Sequence, residues 1–180
     1  MLSKLRAVQW LKLLSMIALM LVITKNLAAS ISNGTDKVSS NQQSPIAQTH
    51  HFDVYKSPTC GCCGEWIEHF EESGFSTKTH HPVDLTAIKR NYGIQNKYQS
   101  CHTTVSNQGY VFEGHIPAKY IRQFMSEPPT DAIGLTVPGM PLGSPGMEVK
   151  DRFMPYQILV LLKDGSSEVY ATATSYKDQF

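Results

Sequence analysis

The chain has little net charge and few cysteines, and each shortage excludes a class of protein. Its 180 residues carry 16 Lys and Arg against 15 Asp and Glu. The first 29 residues hold four of the basic residues and no acidic one, so the remainder is mildly acidic, with 12 against 15. A mildly acidic domain lacks the basic footprint that nucleic acids or an anionic membrane surface require. Four cysteines are too few for a small scaffold built on many disulfides.

Residues 1–29 have the pattern of a secretory signal peptide. A short basic start precedes an apolar run at residues 13–23, and small residues follow at 27–30. The run of about 11 residues is shorter than the roughly 20 that a membrane-spanning helix needs. We therefore predict a cleaved signal and no stable membrane insertion. An uncleaved anchor is the alternative, because Lys25 and Asn26 interrupt the cleavage region. Both place the rest of the chain outside the cytoplasm.

The following segment, residues 30–49, is polar and has few large apolar side chains. Such a segment cannot bury enough surface to offset the entropy of ordering it, so we predict a flexible linker. The compact domain is then residues 50–180, which is long enough for one hydrophobic core. The sequence contains no internal repeat.

Hydrophobic periodicity within residues 50–180 predicts alternating strands and helices. The predicted strands are residues 52–55, 75–79, 103–105, 110–112, 156–162 and 168–172, and the predicted helices are residues 63–73, 84–92 and 118–125. Residues 127–152 contain five prolines and four glycines and are predicted to form a long loop. This order predicts an α/β domain with a thioredoxin-like fold, a Pro/Gly-rich loop and a C-terminal β-hairpin extension.

Three cysteines lie within four residues, at Cys60, Cys62 and Cys63, between the first predicted strand and helix. Cys60 and Cys63 form a C-x-x-C pair that can cycle between dithiol and disulfide, with Cys60 as the attacking catalytic sulfur. The start of a helix near Cys63 would favour the thiolate form. Metal binding is the second interpretation, because thiolates select soft ions such as Cu(I), zinc or iron–sulfur species.

The spacing of the cysteines favours a polynuclear metal site. A single structural zinc ion normally takes two separate C-x-x-C pairs, whereas only Cys101 follows this cluster. The adjacent side chains of Cys62 and Cys63 diverge, so they would more easily bridge two ions than chelate one. The remaining alternative is a structural module held by two disulfides, which an oxidising compartment permits. A bridge between Cys62 and Cys63 would be strained.

Other soft or borderline donors are candidates for the same metal. Residues 138–148 present Pro-Gly-Met twice, with Met140 and Met147 on a flexible loop. Thioether sulfur suits Cu(I), although methionines also simply cover apolar surface. His102 follows Cys101 directly, and His115 precedes the third predicted helix, so either could bind copper through a neutral imidazole. Each could equally be a hydrogen-bonded structural histidine.

Four separated motifs, residues 55–64, 100–103, 113–117 and 138–148, together resemble the CopG-type CxCC proteins of bacterial copper resistance. The resemblance covers about residues 51–173. It implies a thioredoxin-like domain in the periplasm with a copper site at the CxCC loop. The metal ligands that it implies are Cys60, Cys62 and Cys63 at the centre, with Cys101, Met140 and Met147 as partners.

The resulting functional hypothesis is a periplasmic protein that holds Cu(I), with more than one ion per chain, in copper homeostasis or resistance. An exposed cluster would suit transfer of copper ions to a periplasmic copper chaperone or oxidase. The alternative is a thiol-disulfide or copper oxidoreductase in which Cys60 and Cys63 cycle.

Overall fold

A seven-stranded mixed sheet is the frame of residues 51–180, the part of the chain that the computed structural model describes. The strands are β1 (His51–Lys56), β2 (Ser76–His80), β3 (His102–Ser106), β4 (Val111–Glu113), β5 (Ala132–Thr136), β6 (Tyr156–Leu162) and β7 (Ser167–Ala173). The α-helices are α1 (Gly61–Glu72), α2 (Leu85–Asn91) and α3 (Ala118–Ser126). Short 3-10 helices occur at Asn96–Tyr98 and Tyr176–Gln179.

The strand order across the sheet is β2-β1-β3-β4-β5-β6-β7. The β1–β2 and β4–β5 pairs are parallel, and each is joined through a helix, α1 and α3 respectively. The other neighbouring pairs are antiparallel. Because α1 starts where β1 ends, the Cys loop lies at the carboxyl end of β1, as the sequence predicts.

The two faces of the sheet carry different cores because side chains alternate along each strand. Phe52, Val54 and Phe112 pack with the buried faces of α1 and α3 in the larger core. Their strand neighbours Tyr55 and Val111 belong to a smaller cluster on the opposite face.

The predicted order of strand, helix, strand, helix, hairpin and helix is confirmed, as is the C-terminal hairpin. The first helix begins at Gly61, two residues earlier than predicted, so Cys60 is its N-cap residue. The prediction that residues 127–152 are all loop was wrong, because β5 lies within them and joins β4 to β6. At Gly134, which has φ +156°, a Cβ atom would meet the Val111 carbonyl oxygen, so only glycine permits this close strand pairing.

The predicted signal peptide at residues 1–29 and the linker at 30–49 lie outside the described residues. Within residues 51–180, no helix has the length and hydrophobicity needed to cross a bilayer.

Candidate metal centre

The CxCC segment forms the start of α1. Cys60 is the N-cap residue, and its N–H donates to the Ser57 carbonyl oxygen at 3.1 Å. Cys62 and Cys63 occupy the first turn, where backbone N–H groups lack helical partners and favour negative charge. Cys60 and Cys63 are joined in a disulfide, with their Cα atoms 5.4 Å apart. The first turn of α1 therefore presents three sulfur atoms in one small volume.

Cys101, 38 residues after Cys63, completes a four-sulfur cluster. It precedes β3 directly, and its Sγ lies 3.3 Å from Cys63 Sγ. Cys60 Sγ and Cys62 Sγ are 3.7 Å apart, and all four sulfurs lie within 4.8 Å of one another. Cys62 and Cys101 are free. The structure thus brings together the four cysteines that the sequence singled out, with one pair oxidised.

The environment of Cys101 keeps its thiol protonated when no metal is bound. Burial, followed by the neighbouring Cys62, raises the pKa of the Cys101 thiol to about 12. A metal ion that binds this sulfur must displace the proton, so its affinity should increase with pH.

His115 is held as a neutral imidazole with one nitrogen directed at the cluster. Its Nδ1 lies 2.7 Å from the Pro145 carbonyl oxygen, so Nδ1 carries the proton and donates it. The other nitrogen, Nε2, lies 2.9 Å from Cys101 Sγ. Burial lowers the pKa of His115, which also favours the neutral ring. A neutral imidazole with an orienting hydrogen bond behind it is the usual form of a histidine ligand.

His102 is fully buried between Trp66 and His115, with ring centroids at 4.5 Å and 5.1 Å. Its Nδ1 lies 3.4 Å from Cys101 Sγ. Burial lowers the pKa of His102 well below the usual value, and the nearby positive charges add to this effect. Among residues 51–180, His102 Nε2 has no hydrogen-bond partner. Together with Cys101 and His115, this ring completes a sulfur and two-nitrogen donor group within 4.8 Å.

The Pro-Gly-Met loop lies beside the cluster through its backbone. Gly146 packs so tightly on α1 that a Cβ there would lie 2.5 Å from the Cys62 carbonyl oxygen. At the other end, the Ser100 hydroxyl donates to the Gly139 carbonyl oxygen. Met140 is 53% exposed and Met147 is partly buried. These contacts locate the loop, while a ligand role for the two thioether sulfurs stays a prediction.

A buried ion pair behind the cluster was missed by sequence reasoning. Lys89 of α2 donates to Glu113 at the end of β4, and both side chains are buried. The Glu113 carboxylate also accepts the Ser100 N–H at 2.6 Å and the Thr103 hydroxyl at 2.7 Å. Burial raises the pKa of Glu113, although Lys89 and the two other donors oppose the shift. The only sequence signal was an acidic residue ending an otherwise apolar strand.

The donor set is suited to a soft metal ion. Thiolate sulfur binds Cu(I), zinc or iron–sulfur species, and neutral imidazole accepts copper or zinc. The four-sulfur group and the group of Cys101, His102 and His115 share one cysteine, so the two can act as one extended site. All four sulfurs become available only after two electrons and two protons reduce the disulfide to two thiols.

Comparison with solved structures reveals two close matches. One, titled copper resistance protein copG, form 2, shares 40% sequence identity with a TM-score of 0.66. The alignment covers 70% of this chain and 99% of that one. The chain belongs to the CopG family. Form 1 of the same protein matches at 41% identity with a TM-score of 0.64, covering 68% of this chain and 96% of that one.

The family model described as protein of unknown function, DUF411, matches residues 98–147. This segment includes Cys101, both candidate histidines and both Pro-Gly-Met repeats. No curated protein matches the chain. The comparisons confirm the resemblance to the CopG-type proteins.

Proposed function

We propose that this CopG-family protein binds Cu(I) in the bacterial periplasm and serves copper tolerance. The observation that carries the proposal is the convergence of four cysteine sulfurs within 4.8 Å in a relative of a copper resistance protein. Such crowding suits bridging thiolates, so we infer a polynuclear cluster with more than one Cu(I) per chain. Soft thiolate ligands favour the monovalent ion.

The proposed domain organisation is a signal peptide at residues 1–29, a linker at 30–49 and a thioredoxin-like domain at 50–180. The element order from β1 to α3, with strands arranged β2-β1-β3-β4, supports a thioredoxin-like interpretation. Strands β5 to β7 extend this sheet on one side. Fractionation of cells that express the full chain should recover it in the periplasm, and retention in the cytoplasm would contradict the localisation.

In the proposed site, Cys60, Cys62, Cys63 and Cys101 bridge the copper ions after the disulfide is reduced. His115 Nε2 adds a nitrogen donor, because its lone pair already faces the Cys101 sulfur. His102 provides the second nitrogen. Met140 and Met147 supply thioether sulfur from the adjacent loop. The copper ions are cargo, which a partly exposed cluster can pass to a periplasmic chaperone or oxidase.

Titration of the reduced protein with Cu(I) under argon tests these assignments. We expect Cys62→Ser and Cys101→Ser each to lower the number of ions bound, because each removes a bridging thiolate. Met140→Leu combined with Met147→Leu should weaken binding without a change in the cysteine ligands. If that double variant retains the wild-type affinity, the methionines have no ligand role. Met154→Leu, on an exposed methionine outside the two repeats, is the matched control.

A second candidate function is a thiol-disulfide or copper oxidoreductase. The Cys60–Cys63 disulfide at a helix N-terminus favours it, because this position stabilises the thiolate produced by reduction. Turnover with a disulfide substrate or a copper couple, abolished by Cys60→Ser, would support this function. By contrast, a module held by two disulfides would pair all four cysteines, whereas Cys62 and Cys101 are free.

A further inference from the structure

The buried Lys89–Glu113 pair lies beside the two segments, residues 100–103 and 113–115, that carry three of the candidate donors. Lys89 is 4% exposed and Glu113 is fully buried. Lys89 Nζ donates to a Glu113 carboxylate oxygen and, at 3.1 Å, to Thr103 Oγ1. Thr103 in turn donates to the second carboxylate oxygen at 2.7 Å. The three groups therefore form a closed, buried polar network.

This network forms hydrogen bonds with the chain on both sides of Cys101 and His102. The Ser100 N–H, directly before Cys101, donates to the Glu113 carboxylate at 2.6 Å. Thr103, directly after His102, donates through its hydroxyl. One carboxylate therefore fixes the two residues that flank a Cys-His pair.

The backbone around the same glutamate also helps to place His115. Only Gly114 lies between Glu113 and His115 along the chain, and its N–H donates to the His102 carbonyl oxygen at 3.0 Å. The Glu113 carbonyl oxygen accepts the Val137 N–H at 2.9 Å, at the entrance to the Pro-Gly-Met loop. All three members of the Cys101, His102 and His115 group thus lie within two residues of an atom held by this network.

Stability alone does not account for such a network. Two buried charges lose their hydration, and replacing a buried ion pair with apolar side chains is often neutral or stabilising. An apolar side chain, however, cannot accept the Ser100 N–H. The carboxylate therefore supplies directional hydrogen bonds, and Lys89 supplies the positive charge that allows the carboxylate to be buried.

We propose that Glu113, neutralised by Lys89, is a positioning residue that holds Cys101, His102 and His115 as one preorganised donor group. This inference rests on the proposed copper-binding function. In this proposal Glu113 contributes to the geometry of the ligands without being a metal ligand itself.

Two double variants separate the hydrogen-bond acceptor from the charge. Lys89→Met with Glu113→Leu removes both charges and the acceptor, while Lys89→Met with Glu113→Gln retains a neutral acceptor for the Ser100 N–H. We expect both to fold. The Glu113→Leu combination should bind Cu(I) at least tenfold more weakly than wild type, and the Glu113→Gln combination should recover much of that loss. Competition with a chromogenic Cu(I) chelator measures the affinity.

A second readout uses the reduced, metal-free protein. Loss of positioning should expose Cys101, so its alkylation should accelerate severalfold relative to Cys62 in the same sample. Thr103→Val removes the hydroxyl that donates to Glu113 and accepts from Lys89, but leaves the carboxylate in place, and it should produce a smaller change in the same direction. The control is Lys163→Met with Asp131→Asn, which removes an ion pair that is 67% exposed and far less constrained by its surroundings.

If the Glu113→Gln and Glu113→Leu combinations bind Cu(I) with equal affinity, the acceptor has no positioning role and this inference is wrong. Unchanged Cys101 alkylation in the Glu113→Leu combination would also overturn it. Failure of the wild-type protein itself to bind Cu(I) would instead contradict the proposed function, so the two failures are distinguishable.

Discussion

Replacing Gly146 with alanine should push the Pro-Gly-Met loop away from the candidate metal centre. A Cβ at Gly146 would lie 2.5 Å from the Cys62 carbonyl oxygen and 2.6 Å from the Trp66 nitrogen. Both are backbone atoms in the first turns of α1, so neither can rotate aside. Ordinary contact begins near 3.4 Å, so the loop must retreat by about 1 Å.

Gly139 provides a matched control in the same loop. Gly146 and Gly139 both have left-handed backbones, with φ +79° and +72°, but a Cβ at Gly139 meets nothing within 4 Å. Each alanine should therefore lose about 1–2 kcal/mol of unfolding free energy from the left-handed conformation. Only Gly146→Ala should lose a further ~1–3 kcal/mol from overpacking.

The two variants should also differ in their affinity for Cu(I). Pro145, whose carbonyl oxygen orients His115, directly precedes Gly146, so a displaced loop weakens that hydrogen bond. We expect Gly146→Ala to bind Cu(I) at least tenfold more weakly and Gly139→Ala to bind it as wild type does. Urea denaturation and competition with a Cu(I) chelator measure the two effects. Equal stability and equal affinity in the two variants would show that the loop does not pack against α1 as tightly as these distances require.

Three further predictions concern the framework around the site. Trp66→Phe leaves the buried Ile116 carbonyl without the indole N–H that donates to it at 2.9 Å, and should lower the unfolding free energy by about 1–3 kcal/mol in urea. Asp84→Ala removes the N-cap of α2 and should lower the unfolding free energy by about 1 kcal/mol. An unchanged denaturation midpoint would contradict this expectation. His69 Nε2 accepts the first N–H of α3, and burial lowers the pKa of this histidine. Because the unfolded chain then binds the proton more readily than the folded one, wild-type stability should decline as the pH falls below about 6.5. The decline should be shallower in His69→Leu when melting temperatures are compared across pH, and parallel curves would exclude this role.

Much of the fold was predictable because its signals are local. The turn at Asn107, Gln108 and Gly109 closes the β3–β4 hairpin through a Ser106 N–H to Tyr110 carbonyl bond. Strand β5 was not predictable in this way. It has five residues with Gly134 among them, lies between proline-rich segments, and depends on pairing with strands distant in sequence.

In the candidate site, too, local features were predictable from the sequence and long-range contacts were not. The cysteine spacing indicated a sulfur cluster, since three of its members lie within one helical turn. The Lys89–Glu113 pair and the His115–Pro145 bond join residues 24 and 30 positions apart. Neither carries a local pattern that distinguishes a buried polar side chain from a solvated one, so only the tertiary structure could show them.

Elemental analysis of the protein, purified without oxygen, tests whether this chain is a copper protein. We expect copper in excess of one ion per chain, bound by a cluster that forms once the Cys60–Cys63 disulfide is reduced. Protein that is isolated without copper and takes up none when it is reduced and offered Cu(I) under argon would contradict it.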